Sequence, residues 1–164
     1  MTDSNTAKGA EPHARYGTNP PHRILLVDED ICVRHFSAVV LVHSGYRVDA
    51  AANGSAAWQA LNTDSYDLLI TDQNMPNVTG VELLKKLRAA RMALPVIMAT
   101  GTFPKEEFTR NPWAQPEATL LKPYTTAELL GTVKEVLRAT NDAREQSASP
   151  PNWRSRPAVA GLRL

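Results

Sequence analysis

Four short runs of nearly pure apolar residues, ILLV (24–27), LLI (68–70), VIMA (96–99) and TLL (119–121), limit what this chain can fold into. Runs so short and unbroken read as strands buried on both faces, as the strands of a parallel sheet are. RVDAAA (47–52) is more polar and suits an edge strand. Helical patterns lie between the runs: Ile31–Ser44, Ser55–Thr63, Val81–Arg91 and Ala127–Ala139, the last carrying Leu129, Leu130, Val133, Val136 and Leu137 on one face. Parallel neighbours need a crossover, and helices supply it. The alternation therefore predicts a doubly wound α/β domain with a five-stranded parallel sheet.

Local signals set the boundaries. Thr79-Gly-Val-Glu82 and Thr125-Thr-Ala-Glu128 are capping boxes, in which hydroxyl and carboxylate satisfy free N–H groups at a helix start. Asp30 and Asn53 are expected to cap two further helices. Pro104, Pro112 and Pro116 break the fourth helix, leaving at most Lys105–Asn111 regular. Residues 1–22 hold Pro12, Pro20, Pro21, Gly9 and Gly17 without periodicity and read as a disordered lead-in, and residues 141–164, with SASPPNWRSRP, read as a disordered, slightly basic tail. Residues 23–140 are left as the folded domain. Trp153 is expected to be unanchored, Trp113 to cover the core edge, and Cys32 to be small core packing, a lone thiol being compatible with a reducing compartment.

Charge narrows the partners. With 18 Lys+Arg against 17 Asp+Glu, the chain gives no electrostatic reason to expect nucleic acid or an anionic membrane. The longest apolar stretch, Ala38–Val42, is too short to cross a bilayer, and the first residues lack the apolar core of a signal peptide. A cytoplasmic location is expected.

Ligands of an open parallel sheet bind beyond the carboxyl ends of the strands. Asp28, Glu29 and Asp30 follow the first strand, Asp72 the third, Thr100 the fourth and Lys122 the fifth. Carboxylates of Asp28, Glu29 and Asp72 crowded together would stay ionised only around a cation, and hard oxygen donors without a His or Cys cluster suit Mg²⁺. A metal, a lysine and a small hydroxyl are what an incoming phosphoryl group requires, with Asp72 free to attack in line. Gly101 leaves room for a close backbone approach.

The segments ILLVDE, DLLITDQNMPNVTG, VIMATG and LLKPY, in this order, resemble the receiver domain of bacterial two-component response regulators over about residues 23–140. The resemblance implies the flavodoxin-like strand order 2-1-3-4-5 and makes Asp72 the phosphoacceptor, charged by a sensor histidine kinase or phosphotransfer protein. It implies that Asp28, Glu29, Asp72 and the main-chain carbonyl of Asn74 hold Mg²⁺, that Thr100 and Lys122 contact the phosphoryl oxygens, and that the Lys122-Pro123 bond is cis. Asn74 and Thr102 would tune access of water to the acyl phosphate. Such a domain is a signalling switch or relay acting through protein contacts rather than an enzyme, here of the stand-alone type, with an unknown downstream partner.

Two departures stand out. Glu29 replaces a more common Asp, and Thr119 stands where the family often has a ring that swings inward on activation. With the fourth helix broken, the signal is expected to be read through the Phe103–Pro116 segment or the tails. Competing readings are a degenerate receiver that only binds a partner, and a haloacid-dehalogenase-type phosphatase built on Asp28-x-Asp30. The latter lacks the second acidic pair that those enzymes place after a later strand.

Overall fold

The computed structural model describes residues 21–148. The expectations for the lead-in, Trp153 and the end of the tail lie outside these residues. Strands and helices alternate: β1 (Arg23–Val27), α1 (Ile31–His43), β2 (Arg47–Ala51), α2 (Gly54–Thr63), β3 (Leu68–Asp72), α3 (Gly80–Ala89), β4 (Val96–Thr100), α4 (Lys105–Arg110), a 3-10 turn (Pro112–Ala114), β5 (Ala118–Leu121) and α5 (Thr126–Ala148). The strands form one parallel sheet in the order β2-β1-β3-β4-β5. The edge position of RVDAAA and the doubly wound topology are as the pattern predicts.

Because side chains alternate across a strand, each strand serves two cores. Leu25, Val27, Leu69, Val96 and Met98 pack with Ala57 and Leu61 of α2, Leu83, Leu84 and Leu87 of α3, and Phe108 of α4. Ile24, Leu26, Leu68, Ile70, Ile97 and Ala99 pack with Leu41 of α1 and Leu129, Val133, Val136 and Leu137 of α5. β3 and β4 are buried along their whole length, so the sheet's middle is rigid where it leads to Asp72 and Thr100.

The four helix starts follow the capping chemistry. Asp30 accepts from the Cys32 and Val33 amides, Asn53 from Ala56, Thr79 and Glu82 bond reciprocally, and so do Thr125 and Glu128. Thr79 and Thr125 also hold the carboxyls of Glu82 and Glu128 below the usual carboxylate range. α1 stops at Gly45, whose φ of 91° is the left-handed conformation that ends helices.

Four expectations are corrected. β5 is an edge strand with Leu121 60% exposed, not a strand buried on both faces, because it closes the sheet and the six-residue α4 covers little of it. α5 runs to Ala148, past the expected limit at 140. NDAREQSA contains no Gly or Pro, and Arg138 pairs with Asp142 at 3.8 Å. Cys32 is exposed because α1 is apolar around most of its circumference and turns another face, that of Ser37 and Leu41, inward. Trp113 is 57% exposed; its 3-10 turn buries Ala114 instead.

Candidate functional site

Lys122 gathers the site. Its Nζ lies 2.6 Å from Asp28 Oδ2 and 3.2 Å from Asp72 Oδ2. Both carboxylates are buried at the ends of adjacent strands, since β1 and β3 pair in register from Ile24↔Leu68 to Val27↔Thr71. Burial alone would lower the lysine's pKa, but the hydrogen bond and charge of Asp28, joined by Asp72, outweigh it and the net shift is upward. The residue before the cis bond to Pro123 is therefore a permanent cation at neutral pH.

The other oxygens are largely committed. Asp28 Oδ1 accepts from the Asp30 amide at 2.9 Å, and Asp72 Oδ1 from the Asn74 amide at 3.2 Å. Gly80 shows why the loop after Asp72 needs glycine eight residues on: a Cβ there would stand 2.4 Å from the Asp72 carbonyl oxygen. The Gly80 amide donates to the Gln73 carbonyl and the Val81 amide to Gln73 Oε1, which ties the start of α3 to the residue following the nucleophile candidate. Asn77 takes the loop's left-handed turn at φ 66°.

Not every predicted residue converges. Asp28, Asp72 and Lys122 do. Thr100 is fully buried at the end of β4, but its hydroxyl donates to the Thr102 carbonyl at 2.9 Å and accepts from the Thr102 amide, so it serves its own loop. Glu29 and Asn74 are exposed on the rim. Asp30 is occupied as the α1 cap, and the amides of Val33 and Cys32 hold its carboxyl low. The expected cluster of Asp28, Glu29 and Asp72 is not assembled as such: among the described residues no group of three His, Cys, Asp or Glu stands ready to hold a metal. The physical reason is that Lys122 already neutralises one of the two buried negative charges, while Glu29 is turned to solvent.

Donor chemistry nevertheless fits a hard divalent cation. Two buried carboxylates face one ammonium, which leaves a net negative charge, and the anionic atoms they offer are hard oxygens. Asp28 and Asp72 are the residues that would hold such an ion, which would supply positive charge there in addition to the lysine's.

Three neighbours escape a reading of the sequence. Arg34, one turn into α1, donates to the carbonyls of Asp28 and Glu29 at 2.5 and 3.3 Å. Gln73 makes the loop contacts above. Tyr124 shares a hydrogen bond of 3.0 Å with Ser37, and burial pushes its phenol up. Only the position of Arg34, six residues after the first acid, could have hinted at its reach.

A family model described as the response regulator receiver domain matches residues 24–134. The chain is 33% identical over 119 residues to the probable transcriptional regulatory protein SilR of Salmonella typhimurium, covering 73% of this chain and 52% of that protein. It is 32% identical over 131 residues to the response regulator MprA of Mycolicibacterium vanbaalenii, with 79% and 57% covered. This chain thus spans about half the length of those relatives. Among solved structures, a CheY-like response regulator receiver domain protein from Methanospirillum hungatei superimposes with a TM-score of 0.71 at 28% identity, covering 76% of this chain and 99% of that one. The chemotaxis response regulator CheY4 of Vibrio cholerae gives 0.65 at 29%, with 71% and 99% covered.

Proposed function

Because the chain belongs to the response regulator receiver domain family, we propose that it accepts a phosphoryl group on Asp72, in a Mg²⁺-dependent reaction, from a phosphohistidine of a sensor histidine kinase or phosphotransfer protein. The observation that carries this reading is the Lys122 ammonium spanning Asp28 and Asp72 at the carboxyl edge of the sheet. An Asp72 carboxylate oxygen forms the new bond to phosphorus as the bond from phosphorus to the histidine nitrogen breaks, and the histidine takes a proton as it leaves. Lys122 moves with the charge: it leaves the attacking carboxylate and meets a phosphoryl oxygen, retaining Asp28. Thr100 supplies a hydroxyl to another oxygen once it releases Thr102. Asp28, Glu29, Asp72 and the Asn74 carbonyl would hold Mg²⁺, which would supply positive charge against the phosphoryl oxygens. Asn74 and Thr102, on the rim, govern the approach of water.

The domain then acts as a switch or relay through protein contacts and catalyses at most its own phosphorylation and dephosphorylation. The near-neutral charge supports a protein partner in the cytoplasm over nucleic acid, although relatives named as transcriptional regulators are about twice as long. Among the described residues no helix is long and apolar enough to cross a membrane. A dehalogenase-type phosphatase would need Asp28 free to attack and Asp30 free to shuttle a proton. Here Asp28 is held by Lys122 and the Asp30 amide, and Asp30 caps α1.

Intact mass after incubation with Mg²⁺ and acetyl phosphate tests the reading. One phosphoryl adduct, lost in Asp72→Ala, is expected. No adduct on the wild type would leave a receiver that only binds, and phosphate release that survives Asp72→Ala but not Asp28→Ala would favour the phosphatase.

A further inference from the structure

We propose that Arg34 is the positioning residue that sets the acidic β1–α1 loop for its metal ion, an inference that rests on the phosphoacceptor reading above. The loop is three residues long, Asp28 to Asp30, and each is held differently. Asp28 is fixed by its side chain, through Lys122 and the Asp30 amide, and by its own amide, which donates to the Ala51 carbonyl at 3.3 Å. Asp30 is fixed as the helix cap. Glu29 differs. Its side chain is exposed and, among the described residues, makes no hydrogen bond or ion pair; the one side chain that grips its main chain is Arg34, whose Nη1 reaches both carbonyls, at 2.5 Å for Asp28 and 3.3 Å for Glu29.

These carbonyls need a partner. The strand pairing ends at Val27, so the Asp28 carbonyl lies beyond the ladder that would have used it. Arg34 supplies two N–H donors from one nitrogen, on a rigid fork anchored in a thirteen-residue helix. Its guanidinium forms no ion pair with a carboxylate among the described residues, so its charge remains directed at the loop. Without it, the peptide that follows Glu29 would be held by the Asp30 amide alone, and the glutamate would have to lose the added freedom whenever a metal binds. Arg34 contacts main-chain carbonyls and neither the Asp28 nor the Asp72 carboxylate; it would act through the residues that hold the ion, as partners beyond the ligands of a metal site commonly act.

The test is a Mg²⁺ titration of the unphosphorylated full chain by isothermal calorimetry, with Arg34→Ala, Arg34→Gln and Arg34→Lys beside the wild type, and melting curves recorded in EDTA. Arg34→Ala should weaken Mg²⁺ about tenfold, and Arg34→Lys and Arg34→Gln, which keep N–H donors but not the rigid fork, should each recover part of the loss. The melting temperature in EDTA should follow no such order. Equal Mg²⁺ affinity in wild type and Arg34→Ala would overturn the proposal, as would a loss that Lys fails to rescue and that tracks the melting temperature. A wild type that takes up no Mg²⁺ would sink the phosphoacceptor reading itself and this inference with it, whereas wild-type binding unchanged by Arg34→Ala sinks this one alone.

Discussion

Lys122 carries a single charge between two buried carboxylates, and most of what the site can do follows from that shortfall. Its pKa lies above the ordinary 10.5 because Asp28 and Asp72 outweigh burial. A raised lysine stabilises the fold fully below its unfolded value and stops doing so only as pH rises through the higher folded one. Urea unfolding between about pH 6 and 9 should therefore show no step that disappears in Lys122→Met; such a step would mean that the lysine titrates within the working range. Gly80 is the second residue on which the site depends. An alanine methyl would meet the Asp72 main chain rather than a flexible side chain, so the backbone must shift. Gly80→Ala should cost about 1–3 kcal/mol in urea unfolding and slow the appearance of the acetyl-phosphate adduct, because Asp72, the proposed nucleophile, moves with its backbone. A variant as stable and as reactive as the wild type would show that the loop yields without consequence.

At the scale of elements, the segment from Phe103 to Pro116 has little regular structure of its own. α4 has six residues and no side-chain cap, too few to be stable without packing, and Phe108 is its one buried residue. Phe103 is 43% exposed and rests on Phe108 with ring centroids 5.3 Å apart. Beside them lies a cavity of about 190 Å³, lined also by Pro116 and by Thr119, a side chain too small to fill it. At its start the loop is tied by the Thr100–Thr102 pair of hydrogen bonds, which Thr100 would give up in the proposed contact with a phosphoryl oxygen. Amide exchange with and without an acyl-phosphate mimic should change across Phe103–Pro116; change confined to α5, with this segment silent, would refute the prediction. Much of this layer is legible in the sequence because its signals are local. Asp30, Asn53, Thr79 and Thr125 announce helix starts by side chains that bond two or three residues away, and the proline-broken α4 is likewise visible in the spacing. The exposure of Cys32, Trp113 and Leu121 is not. α1 is apolar nearly all round, so only packing decides which side faces the sheet, and β5 loses its cover because α4 is short. The carboxylates show the same division: their placement at strand ends follows from topology, whereas the turn of Glu29 and the reach of Arg34 depend on how α1 sits over the loop.

For the whole molecule, the two cores and the site stand in opposition. The cores on both faces of the sheet stabilise it, and the strands they rigidify deliver Asp28 and Asp72 to a buried edge where each carboxylate opposes the other. Stability should therefore be linked to whatever cation lies between them. Removing one partner from a buried ionic cluster costs far more than the pair contributes, because the remaining charges are left uncompensated. Lys122→Met keeps the aliphatic stem but not the ammonium. In EDTA it should unfold with a loss on the order of 3 kcal/mol, seen as a lower urea midpoint at unchanged slope. Mg²⁺ should then stabilise the variant more than the wild type, since the ion no longer competes with an ammonium 2.6 Å from Asp28 and 3.2 Å from Asp72. At a concentration a hundredfold above its dissociation constant, a ligand specific to the folded state adds about 2.7 kcal/mol, enough to return most of the loss. The gap between variant and wild type should accordingly narrow with Mg²⁺ and remain with Na⁺ at matched ionic strength. Asp72→Asn, which removes one of the opposing charges, should reduce the Mg²⁺ response of both. A gap that stays constant across the titration would mean that lysine and metal do not share the carboxylates, and the coupling between the fold's stability and its charge chemistry would fail with it.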